Sequence, residues 1–490
     1  MPLTRWWSVA YEVAGAPRVR GVDTDGDQWR QIGRDVAAAG GQLLALWVDT
    51  AAPGTEVYSA YLTDPGVLIA RLALGAGAID AGYPGLQDLF PAASRLQRAA
   101  CDLSGVRSSD PDQRPWLDHR VPYEFVRVQG EGVHEIAVGP VHAGTIEPGH
   151  FRFSVVGEKV LRLEAHLGYV HKGLEQRFTE LPLSAGHRLA ARVSGDSAVA
   201  FSWAYCQALE GISGCPVPPR ARRLRAVCLE LERLANHLGD LGALGNDAGF
   251  AFGLMQFARL KELLLRAVRA AWGRRYLFDV IVPGGTAADV HAEAAQALAR
   301  AVRAICAELA ELRVIYEEHE GLCERFAGTG RLEPQLAARL GVLGLVGRAS
   351  GQARDVRVDL PCAPYDEFPA IKVVRTEGDV AARVALRFEE AQESGRLLAG
   401  LLAELPPGEH VAALTPPSAD AFGVGLIEGW RGPTLVALRA GAGATVRRCH
   451  PHDPSWQAWP ALEHAVLGNI VADFPLINKS FNLSYSGVDL

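Results

Sequence analysis

No two of the eight cysteines (Cys101, Cys206, Cys215, Cys228, Cys306, Cys323, Cys362 and Cys449) stand in a C-x-x-C pair. That excludes a zinc ribbon and a self-contained iron–sulfur site, both of which gather thiolates locally. The thiols read as core or surface residues of a reducing cytoplasm. A basic field is also missing. The formal net charge is -7 and the pI is near 6.1, so nucleic acid and anionic lipid find no electrostatic partner. Long apolar runs are missing too. The most apolar windows, such as residues 397–405, are short and carry charge, whereas a spanning helix needs about 20 apolar residues. Residues 1–15 are interrupted by Arg5, Tyr11 and Glu12 and do not read as a secretory signal. Work at a membrane is therefore expected to go through partners. The glycine-rich run GVLGLVGRASG at 341–351 lacks the lysine and hydroxyl residue of a phosphate loop.

What is present is an ordinary globular composition, 49% hydrophobic and 21% charged over 490 residues. That length exceeds what one core supports, so at least two domains are expected. Residues 1–125 mix strand-like runs at 43–48 and 57–62 with helical stretches and with turns at Asp64-Pro65-Gly66 and Tyr83-Pro84-Gly85, an α/β pattern. The polar stretch 108–120 reads as a linker or docking segment. From Ile136 the chain is β-like, and the Gly157-Glu158 turn between two apolar runs predicts a hairpin. Beyond it helices dominate. Prolines open the segment 218–244, whose Leu224, Cys228, Leu231, Leu234, Leu238 and Leu241 form one helical stripe. Further long helices are expected over 287–320 and 379–405, giving a bundle core. The class is α+β, with domains at 1–125 and 126–490.

Several passages carry a family resemblance. GPVHAGTIEPGHFRF (139–153), GYVHKGLE (168–175), LELERLANHL (229–238), GLMQF (253–257), GRASGQARDVR (347–357) and LGNIVADFP (467–475) occur in order. Together they resemble the large subunit of formate hydrogenlyase and hydrogenase-4, the group 4 nickel–iron hydrogenases, which are similar in turn to the 49 kDa subunit of respiratory complex I. Residues 83–106, YPGLQDLFPAASRLQRAACDLSGV, are similar to the complex I 30 kDa subunit, fused ahead of the large subunit in formate hydrogenlyase. The resemblance therefore implies a 30 kDa-like α/β domain followed by a mainly helical hydrogenase large subunit domain with a small β region at its start. One departure is Arg98-Ala99-Ala100-Cys101, which stands where the relatives carry an acidic run and implies an altered docking surface.

A nickel–iron centre needs four thiolates, because soft sulfur ligands hold nickel and bridge it to iron. The family supplies them as two C-x-x-C pairs. By that alignment the four places are held here by Ser194, Ser197, Ser484 and Gly487, with Asn482 where the family has an aspartate. Serine hydroxyls are hard, weakly acidic ligands and glycine offers none, so neither a metal nor hydrogenase activity of its own is expected. Cys206, nine residues past Ser197, reads as a packed thiol inside the following helix. The sequence ends three residues after Gly487, so no extension for a maturation protease is expected. Glu175 sits where the hydrogenases carry a proton-relaying glutamate. It reads either as a buried carboxyl with a raised pKa or as a structural carboxylate paired with Arg192 or Arg354. Arg348, Asp355 and Arg357 belong to a stretch whose relatives line the active-site cavity. His142, His150 and His171 are candidates for the same cleft, or else hydrogen-bonded core residues. The two quinone anchors of complex I, a histidine and a tyrosine, align with Pro148 and Gly195.

The resemblance implies a large subunit of a membrane-associated hydrogenase-4-like or complex I-like oxidoreductase complex. It would sit at the inner face of the cell membrane, on the cytoplasmic side, and bind no cofactor itself. A hydrogenase-like small subunit would carry a 4Fe-4S cluster, and antiporter-like and other membrane subunits would move ions. The chain would serve electron transfer or redox-ion coupling. Two other readings stay open: a quinone-reducing subunit of NADH dehydrogenase type, with electrons from NADH or formate, and a scaffold without a redox role.

Overall fold

The computed structural model describes residues 3–50, 54–75, 82–141 and 146–490. The N-terminal part of the chain is built on a five-stranded mixed sheet in the order Tyr11–Glu12, Val19–Thr24, Val67–Leu74, Thr55–Leu62, Gln42–Asp49. Every residue of Gln42–Asp49 is buried, which is why LLALWV reads as an unbroken apolar run rather than an alternating one. One face carries the helices Gly26–Ala38 and Ala93–Ser104. Asp25 starts the former with a capping box closed by Gln28.

The other face packs on a second sheet, ordered Val446–His452, Pro433–Ala440, Phe422–Glu428, Ala14–Gly15. Trp47, Tyr58 and Ile69 of the first sheet share a core with Val424, Leu426 and Leu435 of the second. The N-terminal Ala14–Gly15 pairs parallel to Phe422–Glu428. This second sheet adds to the small β region expected near residue 136. Its strand Phe422–Glu428 is broken by Gly423 and Gly425, which are there for packing. A Cβ on Gly425 would lie 1.8 Å from the Ala204 carbonyl oxygen, so glycine is what lets the helix Ala198–Ser213 (α1) lie against the sheet.

Four long helices follow: Pro219–Asp247 (α2), Ala251–Trp272 (α3), Ala292–Glu318 (α4) and Val380–Ala403 (α5). They pack in a ring, α2 on α3, α3 on α4, α4 on α5 and α5 on α2. The leucines of the α2 stripe are all buried, each contributing roughly 1.5–3 kcal/mol. Three such helices were expected, and α3 is the addition. Its buried Phe257, Leu260, Leu264 and Val268 are spaced for one helix face, but Leu254, Met255 and Leu263 are exposed and blur that stripe. The predicted hairpin forms as His150–Val156 and Lys159–His166, with Gly157 at φ +59 making the tight turn. Asn469 and Gly468 dock on it through backbone bonds to Val160.

The segment 108–120 is a clasp rather than a loose linker. Trp116 is buried between the guanidinium groups of Arg95 and Arg98, each 5.2 Å from its ring, and Arg98 also pairs with Asp112 at 3.1 Å. Arg98 is thus used within the chain. Among the described residues no helix is long and apolar enough to cross a membrane.

Candidate functional site

Ser194 and Ser197 lie in the turn that leads into α1, and Ser484 and Gly487 follow the helix Phe474–Phe481. The fold brings the two segments together. The Ser194 and Ser484 hydroxyls are 2.8 Å apart, and the Gly487 amide donates to the Ser484 hydroxyl at 2.9 Å. The space between them is taken by other groups. Arg431 donates both terminal nitrogens to the Asp196 carboxylate at 2.6 Å each. It also reaches the Ser197 hydroxyl at 3.3 Å and the Asn482 carbonyl at 2.6 Å, and its guanidinium lies 4.0 Å over the Trp430 ring. Asp453 fills the remaining corner, since a Cβ on Gly487 would stand 2.7 Å from its carboxyl carbon. Burial raises Asp196, but Arg431 and Ser194 hold it below the usual carboxylate range. Burial pushes Asp453 up, against Arg431.

These residues do not fit a nickel–iron centre. The donors are hydroxyls and hard carboxylates, and a fixed cation stands among them. The thiols of Cys206, Cys228 and Cys449 lie elsewhere in the core and are pushed up by burial, which keeps them protonated and unreactive. Among the described residues no group of three or more His, Cys, Asp or Glu side chains is placed to hold a metal ion.

Beside this pair, Arg348, Asp355 and Arg357 are walled into the protein at 1%, 1% and 4% exposure rather than lining a cleft. Arg348 bonds Glu390 at 2.7 and 2.9 Å and Glu428 at 2.8 Å. Arg357 grips Asp355 with two bonds, at 2.7 and 3.1 Å, and reaches Glu230 at 3.0 Å. His237 meets Glu390 at 3.1 Å. Three guanidinium groups, those of Arg233, Arg348 and Arg357, thus face four carboxyls, those of Glu230, Asp355, Glu390 and Glu428. One excess negative charge in a buried site favours retaining a proton. Burial first, then Asp355, pushes Glu428 up. The segment 428–431 joins the two clusters: Glu428 enters this network, Trp430 meets the His237 ring edge-on at 6.3 Å, and Arg431 enters the other.

Glu175 lies apart, in the helix Leu174–Thr179. Its oxygens are held by His450 Nδ1 at 2.6 Å and Arg448 at 2.7 Å. Burial raises the carboxyl, but Arg448 and His450 outweigh it and bring it down to about 2. It is therefore a salt-bridged carboxylate with partners other than those expected, because Arg192 pairs with Asp279 and Arg354 with Asp64. A cavity of about 340 Å³ reaches it between the strand Gln42–Asp49, the helix Ala93–Ser104 and His171. His150 is not in that cavity. Its ring lies 4.7 Å from Phe125 in an aromatic group with Tyr123 and His166, so the two histidines do not share one cleft. His142 lies outside the described residues. A smaller pocket of about 150 Å³ opens beside Gly195, walled by Leu265, Val268 and Phe278, with Asp196, Glu232 and Lys261 on its polar side. Pro148 is half-buried at the end of the loop before His150.

Sequence reasoning missed Arg431, Asp196, Asp453, Arg448, His450, Glu390 and Glu428. One signal was visible: Glu230, Arg233 and His237 are spaced three and four apart along α2, on the buried side of a leucine-rich helix, where charge persists only if paired.

A family model for the 49 kDa subunit of respiratory-chain NADH dehydrogenase matches residues 247–421. Formate hydrogenlyase subunit 5 of Escherichia coli strain K12 is 30% identical over 437 residues, covering 83% of this chain and 77% of that protein. Hydrogenase-4 component G of the same organism is 31% identical over 393 residues, covering 79% and 68%. The chain belongs to this family of hydrogenase-4-type large subunits and complex I 49 kDa-like proteins. A solved structure of the membrane-bound sulfane sulfur reductase, an archaeal respiratory membrane complex, superposes with a TM-score of 0.69 at 24% identity. It covers 74% of this chain and 99% of that one, and shares the fold.

Proposed function

We propose that this chain is the large subunit of a membrane-associated, hydrogenase-4-like or complex I-like oxidoreductase complex, in which an ion pair stands where the relatives' cysteines hold metal. The observation that carries this reading is the convergence of Ser194, Ser197, Ser484 and Gly487 around Arg431, Asp196 and Asp453. The family's frame is kept and its donor set is not. Such a subunit would pack at the inner face of the cell membrane against a small subunit carrying a 4Fe-4S cluster and against ion-moving membrane subunits. Its own contribution would be to couple electron transfer to charge movement through its buried ionisable groups: Glu175, and the network of Arg348, Asp355 and Arg357. Elemental analysis of the purified complex tests the reading. Iron without nickel is expected, and one nickel per chain would overturn it. Coupling predicts that Glu175→Gln lowers the activity of the complex clearly, and unchanged activity would leave the scaffold reading.

A second reading, quinone reduction, is favoured by the apolar-walled pocket beside Gly195, whose polar side is Asp196, Glu232 and Lys261. It predicts that a photoreactive quinone analogue labels residues 276–278. Labelling confined to other subunits would sink it.

A further inference from the structure

The Glu175 site is made from three distant parts of the chain, and one of them is the N-terminal domain. Arg448, which donates to Glu175, is itself held by the Val48 carbonyl, from Nε at 3.2 Å and from a terminal nitrogen at 3.0 Å. His450, which donates to the other oxygen, lies flat on the Trp47 ring, with centroids 5.1 Å apart and planes 14° apart. Trp47 is backed in turn by Tyr58 at 5.0 Å and 3°. Both aromatic groups belong to the first sheet, whereas Arg448 and His450 belong to the strand Val446–His452. We propose that the N-terminal domain completes the Glu175 site, with Trp47 and the Val48 carbonyl as positioning groups that hold His450 and Arg448 on the carboxylate.

The physical reason is the cavity alongside. Trp47, Val48, Glu175, Arg448 and His450 all line the same space of about 340 Å³. The other ionisable groups that face it are Asp49, His171 and Arg447. If the Trp47 ring is removed, the cavity extends under His450 and admits water. The imidazole and guanidinium are then free to leave the carboxylate, and screening weakens what remains. The N-terminal domain would thereby fix the geometry of the Glu175 ion pair and the pH at which that pair is lost.

The inference rests on the coupling role proposed for Glu175, but its primary readout is titration rather than activity. In the purified complex, the infrared carboxyl band of Glu175, assigned by its loss in Glu175→Gln, is followed against pH in Trp47→Leu, which keeps apolar bulk, and Trp47→Phe, which keeps a stacking ring. The carboxyl in the natural protein is expected to stay ionised down to about pH 3. In Trp47→Leu its titration should move up by one to two pH units, and Trp47→Phe should restore it. Thermal melts confirm that each variant is folded. A folded Trp47→Leu that titrates like the natural protein overturns the inference, as does a Trp47→Phe shifted as far as the leucine variant. A shift in Trp47→Leu together with full activity in Glu175→Gln upholds the positioning role and removes the coupling reading alone.

Discussion

The two carboxylates that matter most here, Asp196 and Glu175, are both held by an arginine, but in different settings. Asp196 is held from within one region: Arg431, Trp430 and Asn482 all lie C-terminal to it, in residues 430–482. Glu175 is closed in across the seam between two sheets, by strands that meet only when those sheets pack. Both border a cavity. The first ties four chain segments together, and the second depends on a neighbouring sheet. An ion pair gathered from one packed region holds that region together, while one assembled across two sheets depends on how the sheets pack.

The largest effect is expected next to the first site. Arg348→Ala leaves Glu390 and Glu428 buried with too little positive charge, and should cost about 4 kcal/mol in chemical denaturation; a loss under about 1 kcal/mol would mean the network rearranges freely. At the seam, the contrast appears as pH dependence. Glu175 has a folded value of about 2 against 4.5 for the free side chain. Because the folded value is depressed, its stabilisation is present above about pH 4.5 and is lost as pH falls toward 2. The natural protein should therefore lose about 3 kcal/mol more than Glu175→Gln between those limits, and equal slopes would deny the pairing. Arg431→Ala should cost less, about 2 kcal/mol, since the Asp196 side chain is 39% exposed and water screens what the arginine leaves. The smallest change is Gly487→Ala, whose new methyl group meets Asp453. About 1 kcal/mol of destabilisation is expected, recovered when Asp453→Ser is added; no recovery would show that something other than Asp453 occupies the corner.

Local pattern made much of this legible. The leucine stripe of α2, the Gly157 turn and the proline at the start of α2 are each written within a few residues, and each formed where its spacing indicated. The missing cysteines were equally local, because a C-x-x-C pair is a four-residue feature. The helix α3 and the strand Phe422–Glu428 were harder to read, since exposed apolar residues blur the period of the one and packing glycines that of the other.

The sequence by itself determined the class of the fold, the family frame and the absence of thiolates at four named positions. It could not say what stands in their place. Arg431 is 235 residues from Asp196, Arg448 is 273 from Glu175, and Trp47 belongs to another sheet. Hydrophobic period and turn chemistry act between near neighbours and leave a regular trace along the chain. Pairing of buried charges acts through space and leaves none, so only the tertiary structure decided which arginine answers which carboxylate.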